Sequence, residues 1–254
     1  MSEHEQVTQE AEPEQGGRDR GQSGIVKGVA GKHLSVNGVL DLRGVPAEQV
    51  AQIETLHVDG VVLLDEANRG ALAGIAPEIN GTVMVADPDM RILVQPNMDL
   101  TKAMVEAMPA GQKLMLIGII YISPDVPPAL LAEKFADLRL VGIIIASESA
   151  QGALFGKLEI VGISITLAAD TGVVIRSIGN TEWTEEYLSR LEDGATYVNV
   201  GRTEIPISLS EELIARKIRA YHNVGQTVAA KSILALLKSR GGTDMGSFDV
   251  LEEE

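Results

Sequence analysis

The chain contains no cysteine among its 254 residues. Disulfides, thiolate catalysis and cysteine-ligated zinc are therefore excluded. Aromatic residues are scarce, at 3%. A core must then be assembled from Ile, Val, Leu, Ala and Met, which suits thin, repeated layers better than packing around large rings. Basic charge is also in deficit: 21 Lys and Arg stand against 36 Asp and Glu, a net charge of −15. A chain without a basic surface is not expected to hold nucleic acid through its phosphates, nor to dock on anionic lipid. No apolar run approaches the roughly 20 residues of a spanning helix. The opening MSEHEQVTQEAEPEQGG is acidic and polar, unlike a signal peptide. A cytoplasmic protein is expected.

Hydrophobic residues make up 45% of the chain, enough for a globular body with a sizeable core. The acidity is concentrated at the ends: residues 1–24 carry −4 and residues 241–254 carry −5, leaving −6 for the body. The expected organisation is a disordered acidic N-terminal tail over 1–24, one domain over 25–240, and a disordered acidic C-terminal tail over 241–254.

Within the body one phrase recurs. It reads LSVNGVLDL around Gly38, LHVDGVVLL around Gly60, EINGTVMV around Gly81, LMLIGIIYI around Gly118, LRLVGIIIA around Gly142 and LEIVGISIT around Gly162. YVNVGRTEI around Gly201 and HNVGQTV around Gly225 are weaker copies. Gly38 to Gly118 is 80 residues, Gly60 to Gly142 is 82, and Gly118 to Gly201 is 83, so a unit of about 22 residues sits inside a super-repeat of about 82. Each unit couples a β-branched strand to a short helical patch, such as PPALLAEK or EELIARK, and such a unit can bury its apolar faces only against stacked neighbours. Pro127 and Pro128 suit a helix start, and Ser210 suits an N-cap. Two longer units contain MVADPDMRILVQ and ITLAADTGVVIRS, which read as hairpins, each followed by a helix: LTKAMVEAM, and EWTEEYLSRLEDG ending at Gly194 as its C-cap. KSILALLKSR at 231–240 reads as a C-terminal capping helix.

A short strand, a turn, a short helix and a period in the low twenties resemble leucine-rich-repeat solenoids over roughly residues 33–238. The leucine-rich consensus carries an Asn after Leu-x-x-Leu-x-Leu. Here the marked position is Gly, preceded by Asn, Asp, Val or Ile. A parallel β-solenoid of the bactofilin type is the rival architecture, and the helical patches favour the α/β form. The expected fold is thus an α/β repeat solenoid of parallel strands and short helices. Either resemblance implies a framework for binding or assembly, and transfers no catalytic residue.

Strand parity divides the faces. Residues in phase with the glycine, such as Leu34, Val36, Leu40, Leu138, Leu140 and Ile144, form the core face. The opposite face is polar at the first rung, with His33, Ser35, Asn37 and Asp41. In the middle rungs it is apolar: Met115, Ile117, Ile119 and Tyr121, then Val141, Ile143 and Ile145, then Val161, Ile163 and Ile165. A strand apolar on both faces is normally covered on both. Either the two excursions fold over this patch, or it is an interface with another copy or another protein.

Chemistry is thin. His33, His57 and His222 lack metal-ligand spacing and read as surface residues. Asp87, Asp89 and Asp99 read as turn residues around a proline. GVAGK (28–32) and GALFGK (152–157) lack the Gly-x4-Gly-Lys-Ser/Thr spacing of a phosphate loop. Trp183 and Tyr187, four apart, read as packing on one helix. No catalytic residue, cofactor or metal site is expected, and the expectation is a non-catalytic scaffold that self-associates through its apolar face or its ends. An adaptor for another protein is the alternative, and a sugar-acting enzyme the third.

Overall fold

A computed structural model describes residues 22–251, so nearly all of the expected N-terminal tail lies outside the described residues. The chain divides between Met90 and Arg91 into two compact units.

The first unit runs β1 (Gln22–Lys27), β2 (His33–Asp41), α1 (Ala47–Val50), β3 (Thr55–Leu64), α2 (Glu66–Gly74) and β4 (Glu78–Val85). Its four strands form one parallel sheet in chain order, in a register that aligns Gly24, Gly38, Gly60 and Gly81. Leu34, Val36, Leu40, Leu56, Val58 and Val62 are buried in its core, as the parity reading expected. Each such side chain contributes about 1.5–3 kcal/mol of burial. Asp65 caps α2 by accepting the Asn68 N–H at 3.0 Å, and the Asn68 amide, fully buried, donates to the carbonyls of Leu42 and Val45.

The second unit opens with β5 (Arg91–Leu100), α3 (Lys102–Ala107), β6 (Gln112–Ile122), α4 (Pro128–Lys134), β7 (Phe135–Ser147), α5 (Glu148–Ala153) and β8 (Leu158–Leu167). Strands β5 to β8 form a second parallel sheet, aligning Gln95, Gly118, Gly142 and Gly162. There follow β9 (Val174–Ser177), β10 (Asn180–Glu182), α6 (Glu185–Arg190), β11 (Ala195–Asn199), β12 (Arg202–Glu204), α7 (Glu211–Lys217), β13 (Ile218–Asn223), β14 (Gln226–Ala229), α8 (Lys231–Ser239) and β15 (Ser247–Val250). Here each rung is split at its glycine. The first halves form a sheet ordered β13-β11-β9 and the second halves one ordered β10-β12-β14-β15, both parallel.

The glycines recur because the rungs stack backbone on backbone. A Cβ on Gly142 would fall inside the carbonyl oxygen of Gly118, closer than any real Cβ approaches, and its φ of 135° disfavours L side chains besides. The same collision arises at every later member of all three columns: 24, 38, 60, 81; 95, 118, 142, 162; and 179, 201, 225, 246. The first members meet no such carbonyl: Gly24 and Gly179 have open space there, and the second column opens with Gln95. Helix starts are fixed locally. Thr101, Ser147, Thr184 and Ser210 each accept the backbone N–H three residues on, and Pro128 occupies the first turn of α4.

Four expectations need correction. The two expected hairpins are absent: β4 and β5 lie in different sheets, as do β8 and β9, because Asp87-Pro88-Asp89 and Asp170-Thr171-Gly172 carry the chain from one parallel ladder to the next. The helix expected over 182–194 spans only Glu185–Arg190. Trp183 precedes its Thr184 cap, and Gly194 lies beyond its end. The C-terminal segment expected to be disordered forms a rung, with Asp244 bridging Asn223 and β15 paired to β14. Finally, His222, read as a surface residue, is 6% exposed beneath Thr243, whose N–H donates to His222 Nδ1 at 2.9 Å.

Candidate functional site

The apolar residues of the middle rungs are brought together, but none is exposed. Met115, Ile145 and Ile165 are buried, while Ile117, Ile119, Tyr121, Val141, Ile143, Val161 and Ile163 are half-buried. Six of the ten (Ile119, Tyr121, Ile143, Ile145, Ile163 and Ile165) form one cluster with Leu167, Val174, Val198, Val200 and Val224 of the same unit. Part of the cover thus comes from the rungs of β9, β11 and β13, and not from hairpin excursions. Val198, on β11, is accordingly fully buried.

One side chain fastens this junction. Arg176 on β9 donates from Nη1 to Asp99 Oδ1 at 2.5 Å and from Nη2 to Asp99 Oδ2 at 2.8 Å, with Asn97 Oδ1 at 3.3 Å. Its guanidinium carbon lies 4.3 Å from the centre of the Tyr121 ring, within cation–π reach. Burial raises the Tyr121 phenol pKa, and the nearby Arg176 charge partly opposes that rise.

A second polar constellation lies inside the last rungs. The fully buried Asn199 amide donates to Asn223 Oδ1 and to the Gln226 carbonyl, both at 2.9 Å, and Gly201 N–H donates back to Asn199 Oδ1. Asn223 in turn donates to the Ser247 carbonyl at 3.0 Å. These amides satisfy backbone groups freed where the strands split. Beside them, Trp183 Nε1 donates to Tyr197 Oη at 3.0 Å, and the Tyr197 and Tyr221 rings stack with centroids 5.6 Å apart. Burial pushes the Tyr221 phenol pKa up. Parity reasoning missed this constellation, although the repeated Asn-Val-Gly at 199–201 and 223–225 signals it.

On the first unit, the exposed row places His57 Nε2 3.1 Å from Asp59 Oδ2 and His57 Nδ1 3.3 Å from Glu78 Oε2, with Asn80 donating to Asp59 Oδ1. The imidazole pKa is raised, first by the hydrogen bond to Asp59 and then by that to Glu78. Both ring nitrogens face carboxylates, so neither is left to take a proton from a substrate. Among the described residues no group of three or more His, Asp and Glu side chains is disposed to hold a metal ion. No described helix is long and apolar enough to cross a membrane.

Two surfaces remain open. Phe155, just past α5, is 90% exposed beside a groove of about 550 Å³ lined by Gln151, Leu158, Ile160 and Thr166. The sheet edges are the other: among the described residues the strands paired on one side only are β1 and β4, β5 and β8, β9 and β13, and β10 and β15. Comparison with protein-family models, with curated proteins and with solved structures finds no match to this chain.

Proposed function

We propose that the chain is a non-catalytic scaffold of the cytoplasm, a leucine-rich-repeat-like α/β solenoid that self-associates through its ends. The observation that carries this reading is that ladders held by backbone stacking end in rungs paired on one side only. An open parallel edge presents unpaired N–H and C=O groups that another strand can take. Six of the ten apolar residues of the middle face pack with the chain's own later rungs, which favours the rung ends over that face for assembly. Light scattering behind a sizing column, on the full chain across a hundredfold concentration range, tests it. A mass above one chain that rises or holds supports the scaffold, and a strict monomer throughout overturns it.

A second reading has its own observation. Phe155, projecting beside the apolar groove at the end of β8, suits an adaptor that takes an apolar side chain of another protein there. A defined partner bound by a monomeric chain, and lost with Phe155→Ser, would select it.

A further inference from the structure

We infer that the C-terminal rung of one copy stacks on the N-terminal rung of another, so that β15 adds a parallel strand to the outer edge of β1 with Gly246 over Gly24 and Asp249 beside Lys27. The inference rests on the scaffold reading and names its contact.

The glycine columns make the joint selective. In every internal step, the backbone of one rung leaves no room for a Cβ on the rung after it. In this joint the Gly246 carbonyl is presented to the receiving strand, which needs a glycine in that register. Among the described residues three rungs open a column. The one at Gln95 has a Cβ in that place. The ones at Gly24 and Gly179 are glycines with positive φ and open space where a Cβ would lie.

Charge decides between those two. In the register that carries each column forward, Ser247, Phe248 and Asp249 follow Gly246, as Gln226, Thr227 and Val228 follow Gly225. Set on Gly179, Asp249 would face Glu182, a like charge. Set on Gly24, it faces Lys27, which is exposed. The donor end is selected in the same way. The residues in Asp249's place after Gly81 and Gly162 are Met84 and Ile165, neither able to pair with Lys27. The core continues too, because Phe248 packs against the last core cluster while Val26 packs against the first, and the joint sets one over the other. The solvent-exposed Val250 and Ile25 lie on the two edges being joined, 55% and 42% exposed. The two surfaces differ, so the contact is head-to-tail, and it yields a ring or an open filament according to the rotation per step.

The test is charge reversal on the full chain, read as mass against concentration. Lys27→Glu and Asp249→Lys, each alone, should raise the concentration for half-association by roughly tenfold or more, since like charges then meet across the joint. Mixing the two single variants, or combining both changes in one chain, should restore association. Arg190→Glu, an exposed position on α6 that belongs to neither β1 nor β15, should leave it unchanged. Circular dichroism identical to the parent confirms that each variant is folded. If the parent associates but neither reversal weakens it, or the mixture fails to recover, this joint is wrong and the scaffold reading stands. If the parent is a monomer throughout, the reading and the joint fall together.

Discussion

The Arg176 guanidinium is shared between a carboxylate and a ring: it forks onto Asp99 while its central carbon lies 4.3 Å from the centre of the Tyr121 ring. The two partners come from β5 and β6, and Arg176 from β9, so one side chain joins two sheets of the second unit. Arg176 is 18% exposed and Asp99 44% exposed, so solvent screens part of the pair. Arg176→Ala should cost about 1–2 kcal/mol in chemical denaturation. Arg176→Lys should recover less than half, because an ammonium cannot make the fork. A double-mutant cycle with Asp99→Asn isolates the coupling, and a coupling near zero would show that the pair fastens nothing.

The apolar middle face predicts an outcome opposite to that of an interface. Ile145 is fully buried among Ile165 and Val198, so Ile145→Asp should unfold the second unit or cost more than about 4 kcal/mol. Phe155→Ser should change stability by less than about 0.5 kcal/mol. A folded Ile145→Asp variant of normal stability would mean that this face is not closed in solution.

The glycine columns are tested by a pair of alanines. Gly142→Ala places a methyl in the Gly118 carbonyl and at φ 135°, and should cost more than about 3 kcal/mol. Gly152→Ala, in helical backbone of α5 with open space around it, should stabilise by about 0.5–1 kcal/mol. Thermal melts of the two variants should move in opposite directions.

His57 makes stability depend on pH. Its pKa is raised above 6.5 in the folded chain, so its contribution is fully present below 6.5 and is lost as pH rises through the raised value. Asp59 has a pKa lowered from 3.8, first by the Asn80 hydrogen bond and then by His57, so its contribution is present above 3.8 and is lost as pH falls through the lowered value. The two overlap between pH 3.8 and 6.5. In urea, His57→Gln should therefore lie furthest below the parent in that window and converge on it at alkaline pH. A constant offset across the range would remove the imidazole from the account. The site is solvent-exposed, so the effect will be small and weakened by salt.

The helices were readable because their signals are local. Ser210 before Glu211 and Glu212, and Pro128 at the start of α4, act within one turn, and both stand where the sequence places them. The hairpins and the helix over 182–194 failed because local turn chemistry does not say which sheet the next strand joins. Trp183 is apolar enough to continue a helix, yet it is drawn into the core by Tyr197.

Alternation and a recurring glycine, by themselves, determined the rungs, their core face and their order, because period-two patterning and steric exclusion of a Cβ act between adjacent residues and adjacent strands. Tertiary structure alone decided what covers the middle face, what Arg176 holds and which rungs are left open. Those depend on residues some 55–80 positions apart meeting across sheets, such as Tyr121 with Arg176 and Ile119 with Val198, and no local periodicity encodes that meeting.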